Sequence, residues 1–411
     1  MKLFRPTLLV AALIGTACSE ATTPSPKAPI EPITALPRAL TESETKVIAS
    51  SNDFAFDVFR TGNLSQHKEN VFISPLSASM ALGMTANGAN GQTYDEMRSA
   101  LRLSGATRED VGGGYKSLIA LLRGLDPGTD FRIANSIWYE RTFPFNASFL
   151  DESKLQFDAR VEALDFNSPS ALTTINSWVS EQTNDKIPAI LESIADNERM
   201  FLVNAIYFKG TWQKQFDKSK TVDAPFHAAD GTTSTVRMMA RDEGVRYTAT
   251  PEYSAVDLPY GNSAFTMTVV LPNGDIDAFA ESFDQAKWNV LVTSLHDSNL
   301  QVYLPRFRME WKRQLNDDLK QLGMRLAFTP YSADFTRMSP LGLDLYITKV
   351  LQKTFVEVDE EGTEAAAATV VGIGVTSFPG QFRADRPFLV VIRERFSGTI
   401  LFIGKIAKLP A

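Results

Sequence analysis

The chain has 411 residues, 44% hydrophobic and 22% charged, which excludes wholesale disorder and a collagen-like structure. Forty-one basic residues against 48 acidic ones leave a net charge of −7, and no basic block makes an electrostatic case for nucleic acid. The single cysteine rules out an internal disulfide and a cysteine zinc site. His67, His227 and His296 lie far apart in no ligand-spaced motif, so histidine-based metal or triad chemistry has no support.

At the N-terminus, Lys2 and Arg5 precede an apolar stretch from Thr7 to Ala17. It is too short for a membrane span, which needs about 20 residues, and suits the core of a signal peptide. Gly15, Thr16 and Ala17 lead into Cys18, the only cysteine. The arrangement resembles a bacterial lipoprotein signal, which implies removal of residues 1–17 and lipidation of Cys18. Gly15 departs from that pattern, where leucine is usual. The alternative is an ordinary secretory signal with Cys18 incidental. Ser19 after the cysteine, in place of aspartate, favours outer-membrane sorting by the same resemblance. Without residues 1–17 the chain carries 39 basic and 48 acidic residues, a net charge of −9. Residues 18–44 are read as a tether. Pro24, Pro26, Pro29, Pro32 and Pro37 favour extended polyproline structure over a core. No later apolar run approaches a membrane span.

Regular structure is expected from near Thr41, at the end of the tether. Thr41 and Glu44 have the spacing of a capping box. Val47, Ser51, Phe54 and Val58 then share a helical face, and Gly62 is the expected stop. Ser74–Pro75 marks a second helix start, with Leu76, Met80 and Met84 as its buried stripe. Strands are expected at Phe201–Lys209, Phe265–Leu271, Asn299–Leu304, Tyr346–Val358 and Phe388–Ile392, all rich in β-branched or aromatic residues. Helices and strands lack a regular βαβ rhythm, so the body reads as one α+β unit over residues 45–411 with largely antiparallel sheets.

The usual catalytic motifs are missing. There is no G-x-S-x-G elbow, phosphate-binding loop or H-E-x-x-H pair, and Gly372-x-Gly374 lacks the third glycine of a dinucleotide loop. Carboxylates such as Asp359, Glu360 and Glu361 are common on solvated surfaces. Nothing supplies a nucleophile with its base, so the chain does not read as an enzyme and calls for no cofactor or metal.

The informative stretch runs from Val356 to Val371. A valine-rich strand passes into Gly362 and then into Ala365, Ala366, Ala367 and Ala368. About 25 residues separate Gly362 from Pro387, a length that is uncommon inside a compact domain and usually functional. A short alanine-rich helix is the plain alternative, but the β-branched Thr369, Val370 and Val371 and two glycines follow.

Here the chain resembles the serpin family. Glu360, Glu361, Gly362, Thr363, Glu364, the four alanines and Thr369 match the hinge that inhibitory serpins carry before the reactive-centre loop. Residues 382–392, FRADRPFLVVI, match the family's C-terminal signature. Further matches are residues 70–77, residues 88–91 with Thr93, residues 202–212, residues 258–260, residues 304–307, and residues 322–324 with 333–335. The resemblance covers about residues 45–411 and many motifs in one order.

It implies three mostly antiparallel sheets, eight or nine helices and an exposed loop at about residues 360–386. It also implies a serine protease inhibitor attacked as a substrate, whose cleaved loop enters the large central sheet as a new strand. Thr363, Ala365, Ala367 and Thr369 would form one small, inward row, with Gly362 as pivot. Family spacing places the cleaved bond at Thr376–Ser377, with slippage to Val375 left open. That bond suits elastase-like or subtilisin-like proteases. Arg306 is expected to pair with Glu360 near Trp212. Ser74, Ser77 and Asn204 fall where polar groups let the central strands part, and Gln352 stands where the family often has histidine. The partner is a serine protease, membrane contact comes only through the lipid, and the chain is read as a monomer. A non-inhibitory serpin, cleaved as a plain substrate or used as a carrier, is the alternative.

Overall fold

The computed structural model describes residues 31–363 and 380–410. In chain order its helices are α1 (Glu42–Leu64), α2 (Pro75–Asn87), α3 (Gly91–Ala100), α4 (Arg108–Arg123), α5 (Ala147–Phe157), α6 (Pro169–Gln182), α7 (Ile276–Ser282), α8 (Gln285–Ser294) and α9 (Asn316–Gln321). The strands are β1 (Val71–Ile73), β2 (Thr129–Glu140), β3 (Ala159–Leu164), β4 (Met200–Thr211), β5 (Val222–His227), β6 (Thr233–Ala249), β7 (Tyr253–Pro259) and β8 (Phe265–Pro272). They continue as β9 (His296–Pro305), β10 (Phe307–Gln314), β11 (Leu351–Val358), β12 (Gly362–Thr363), β13 (Gly380–Arg383), β14 (Phe388–Glu394) and β15 (Ile400–Ile406).

Most strand pairs are antiparallel, and the fold is α+β. Among the described residues there are three sheets. Nine strands form the largest, in the order β1-β15-β14-β8-β7-β6-β9-β13 with β5 on β6. A four-stranded sheet runs β12-β4-β2-β3, and β10 pairs with β11 alone. No ladder joins β4 to β11 among the described residues, and this break positions the candidate site.

Two apolar clusters flank β4. Ile206 and Phe208 belong to the main core, which α2 enters with Leu76, Met80 and Met84. Phe201, Val203 and Ala205 belong to a second cluster with Ile175, Trp178 and Val179 of α6. The strand's period of two separates these faces. No helix among the described residues is long and apolar enough to cross a membrane.

Several local expectations meet their structure here. Thr41 Oγ1 accepts from Glu44 N at 3.1 Å, and Thr41 N donates to Glu44 Oε2 at 2.7 Å, completing the capping box. Gly62 does not stop α1, which continues to Leu64. A Cβ there would lie 3.4 Å from Ile73 and 3.7 Å from Val71, so the glycine serves the packing of α1 on β1. The strand expected at Tyr346–Val358 begins only at Leu351. Ahead of it, Ile347 N bonds to Ala327 O, and Val350 N to Asn316 Oδ1, so this backbone is committed elsewhere.

The body also begins before residue 45. Ile33 N donates to Asn262 O at 2.8 Å, and Ile33, Leu36 and Leu40 pack against the main core. Extended proline-rich chain has no internal hydrogen bonds, so its backbone and alternate side chains are free to dock.

Arg38 fastens this strap. Its guanidinium grips the buried Glu44 with bonds of 2.8 and 2.5 Å. The hydrogen bonds from Arg38 outweigh burial and, with the Thr41 backbone, hold the Glu44 carboxyl down to about 2 from an ordinary 4.5. A depressed folded value adds stability above the unfolded value, and that stability is lost as pH falls from 4.5 through about 2. Glu44→Gln is expected to cost about 2 kcal/mol at pH 7, allowing for the half-exposed Arg38. The deficit should shrink towards pH 2. Urea melts at pH 7 and pH 2.5 check this, and a deficit independent of pH would oppose it.

Candidate functional site

The site is an unfilled slot between β4 and β11. On its other edge β4 pairs with β2 from Thr129↔Gly210 to Tyr139↔Met200. β11 pairs with β10 from Phe307↔Val358 to Gln314↔Leu351. The chain reverses after β11, and β12 then pairs antiparallel with β4, so β4 and β11 run the same way. Beyond Gly210, the β4 edge facing the slot has no strand partner among the described residues. Between the two strands lies a cavity of about 450 Å³. Residues 200–206 line one side, residues 345–353 the other, and Ser77, Ala78, Ala81 and Leu82 of α2 contribute to the lining. Open strand edges readily accept another strand.

At the upper end two residues of β12 pair with β4. Gly362 lies opposite Thr211 and Thr363 opposite Gly210. Gly362 has φ of +152°, and a Cβ there would come within 2.1 Å of Gly210 O. Only glycine allows this approach. The turn before it is held by a network of hydrogen bonds. Asp359 N donates to Gly362 O, and Asp359 Oδ1 accepts from the amides of Glu361 and Gly362 at 2.9 and 3.1 Å. Trp212 Nε1 donates to Asp359 O at 2.9 Å and Trp212 N to Glu361 O at 2.8 Å, while Phe216 N donates to Glu360 O. Trp212 itself stacks on Tyr260 with ring centres 4.4 Å apart.

Glu360 is 1% exposed. Arg306 Nε donates to its Oε2 at 2.6 Å, and Thr221 Oγ1 to its Oε1 at 2.6 Å. Burial works to raise its pKa, but these bonds outweigh burial and hold the carboxyl below its ordinary range. Arg306, Glu360 and Trp212, expected together from sequence, are together. Glu361, the neighbouring carboxylate, is not a freely solvated surface group: it is buried and ion-paired with Lys218.

The polar residues of the slot fall into two sets on opposite walls. On the β11 side, Gln352 Oε1 accepts from Ser74 N at 3.2 Å and Gln352 Nε2 donates to Ser74 O at 2.7 Å. The glutamine thereby meets both backbone groups of one residue, using its donor and its acceptor at once. Ser74 stands just before α2, but its hydroxyl makes no cap and donates instead to Leu401 O at 2.9 Å. On the β4 side, Asn204 Nδ2 donates to Asn135 Oδ1 at 2.7 Å. Asn204 Oδ1 is buried without a hydrogen-bond partner. Ser77, Asn204 and Gln352 line the cavity. Glu364, Ala365, Ala366, Ala367, Ala368, Thr369, Thr376, Ser377 and Cys18 lie outside the described residues.

Sequence reading missed Asn135, Thr221 and Lys218. Asn135 offered a signal, as the one amide in the β2 sequence Ile133–Trp138, where Ser136 is the other polar residue. Thr221 and Lys218 carried none, because their contacts to the hinge span 139 and 143 residues.

Comparison with known proteins agrees with this architecture. The family described as Serpin (serine protease inhibitor) matches residues 49–409, and the chain belongs to the serpin family. Human serpin B11 is 34% identical over 383 residues, covering 86% of this chain and 97% of that protein. The leukocyte elastase inhibitor of Sus scrofa is 37% identical over 377 residues, covering 87% and 98%. Among solved structures, the thermophilic serpin tengpin in its native state superposes with a TM-score of 0.81 at 30% identity, covering 93% of this chain and 97% of that one. Human thyroxine-binding globulin complexed with thyroxine gives 0.82 at 27%, covering 90% and 100%.

Proposed function

We propose that this serpin inhibits serine proteases of elastase-like or subtilisin-like preference as a suicide substrate. The observation that carries the reading is the start of β12 on β4 at the mouth of an unfilled slot. In this scheme the protease serine attacks the Thr376 carbonyl. An ester forms between serine Oγ and the Thr376 carbonyl carbon, the peptide bond breaks, and the serine's proton passes to the Ser377 nitrogen, which leaves as a free amine. The freed strand then continues the register already begun.

Counting on from Thr363↔Gly210, Ala365 would meet Phe208, Ala367 Ile206 and Thr369 Asn204. Directly opposed residues share a face, and Ile206 and Phe208 face the main core. Small residues at these positions suit a slot with little room. The ladder against the 12 residues of β4 spans about 36 Å at ~3.3 Å per residue. About ten new backbone bonds at ~1 kcal/mol each supply on the order of 10 kcal/mol. The acylated protease is carried along, and displacement of its catalytic groups by about 1 Å slows deacylation ~10²-fold.

Mixing with an elastase is expected to give an SDS-stable complex that alkali hydrolyses. Cleavage without a complex would favour the non-inhibitory reading, and the name of the elastase-inhibitor relatives motivates the choice of protease. Thr376 at the primary position should make elastase faster than trypsin, whose buried acid would be left unpaired. Faster trapping of trypsin, or a cut outside residues 375–377 by mass spectrometry, would oppose this assignment.

The same reading extends to location: an exported protein anchored through acylated Cys18, with outer-membrane sorting favoured, and acting as a monomer. Cys18→Ala is expected to leave the membrane fraction or remain unprocessed. Identical fractionation of variant and parent would exclude the anchor.

A further inference from the structure

The slot is also closed at its lower end, and by side chains. Glu198 Oε1 pairs with Lys349 Nζ at 2.6 Å and accepts from Thr348 Oγ1 at 3.4 Å. Glu198 Oε2 accepts from Ala195 N at 2.8 Å. The Glu198 side chain is only 3% exposed and that of Lys349 23%. Beside them Asn197 Nδ2 donates to Tyr346 Oη at 3.1 Å. Lys349 Nζ also stands 5.5 Å above the Phe201 ring. Every one of these contacts except that from Ala195 joins the chain at or before the start of β4 to the chain before β11, across the same cavity. The backbone there forms no ladder, because Leu315 N and Asn316 already bind residues 348–350.

The register locates this closure along the path of an inserting strand. With Gly362 opposite Thr211 and Thr363 opposite Gly210, a strand continuing that register would bring position 373 opposite Met200, at the lower end of β4. Were a strand to continue that register, positions 374, 375 and 376 would fall opposite Arg199, Glu198 and Asn197. Insertion as far as the cleaved bond must therefore part the Glu198–Lys349 and Asn197–Tyr346 contacts.

We propose that these contacts form a latch that sets how deep an inserted strand descends, and so positions the trapped protease. This rests on the inhibitory reading above. A strand of up to eleven residues from Thr363 fills the slot with the latch shut. The last three residues enter only as it opens. An arriving backbone brings N–H groups that can take over as donors to Glu198, so the latch is a kinetic barrier and not a permanent stop.

The test uses two synthetic peptides, one with residues 363–373 and one with residues 363–376, added to the full chain. Uptake is followed by native gel and tryptophan fluorescence, with no protease present. Lys349→Met and Glu198→Gln should each speed uptake of the longer peptide at least about tenfold, the scale of one charge-assisted hydrogen bond. Uptake of the shorter peptide should change less than about twofold. Lys349→Arg should restore the parent rate for both. Equal acceleration of both peptides would show general loosening of the slot and overturn the latch, as would no acceleration of the longer one. Failure of every form to take up either peptide would overturn the latch too. Only an absent SDS-stable complex in the parent protein would bring down the inhibitory reading itself.

Discussion

Glu360→Lys is expected to loosen the mouth of the slot and promote loop–sheet polymers. Glu360 is 1% exposed and takes hydrogen bonds from Arg306 and Thr221. Lysine would set a second cation beside Arg306 and remove the acceptor that Thr221 uses. Breaking one side of a fully buried pair costs about 3–5 kcal/mol, and the 44% exposure of Arg306 brings the loss here below that range. The damage is local to the turn whose Glu360 and Glu361 carbonyls are held by Phe216 and Trp212. With that turn loosened, β12 loses its hold on β4, and the open edge is free to take a strand from another copy. Glu360→Gln, which keeps one acceptor for Thr221 but not the charge, should fall between parent and lysine variant. Native gels after mild heating give the readout. A monomer fraction equal to the parent's would reject the role assigned to this pair.

Thr363→Arg is expected to separate recognition from trapping. Position 363 lies opposite Gly210, on the strand that turns Ile206 and Phe208 towards the main core. It is the first position after the glycine that an entering strand must seat. A guanidinium there would have to be buried, at a cost of several kcal/mol. Attack near Thr376 should proceed at a similar rate, because that bond lies 13 residues further along. In the proposed mechanism deacylation and insertion compete for one acyl-enzyme, so a slower insertion would release active protease. The stoichiometry of inhibition should rise about tenfold or more, since ~1.4 kcal/mol on the insertion barrier already shifts the partition tenfold. Active-site titration after mixing measures it. Equally efficient inhibition by the variant would exclude strand insertion as the mechanism.

Some of the site could be read from local sequence because its causes are local. Thr41 and Glu44 cap α1 across three residues. Gly362 is demanded by the backbone conformation at one position. The alternation on β4 follows from the period of a strand, and it carries directly into the register expected of the hinge. The pairing of Arg306 with Glu360 was available only through the family resemblance, since 54 residues separate them.

Other features depend on which segments meet. Gln352 was expected in one polar cluster with Ser74, Ser77 and Asn204. The fold instead divides the bonded groups, Gln352 with Ser74 on one wall and Asn204 with Asn135 on the other, because β4 and β11 stand apart. Tyr346–Val350 has the composition of a strand, yet its backbone is taken by neighbours from residues 315–327. Gly62 reads as a helix stop, yet contact with β1 makes it a packing position. The strap at residues 32–41 reads as tether until Ile33, Leu36 and Leu40 find the core.

Local composition and spacing accounted for the run of small residues after Gly362, that glycine itself, the helix starts and the α+β alternation. Each rests on propensity or capping within a few residues. Long-range contacts set the rest: β4 and β11 stand apart, two residues pair with β4 at the upper end of the slot, and Glu198 and Lys349 join its lower end. Those outcomes depend on contacts between residues some 150 positions apart, and no local preference encodes which distant edges pair and which are left free.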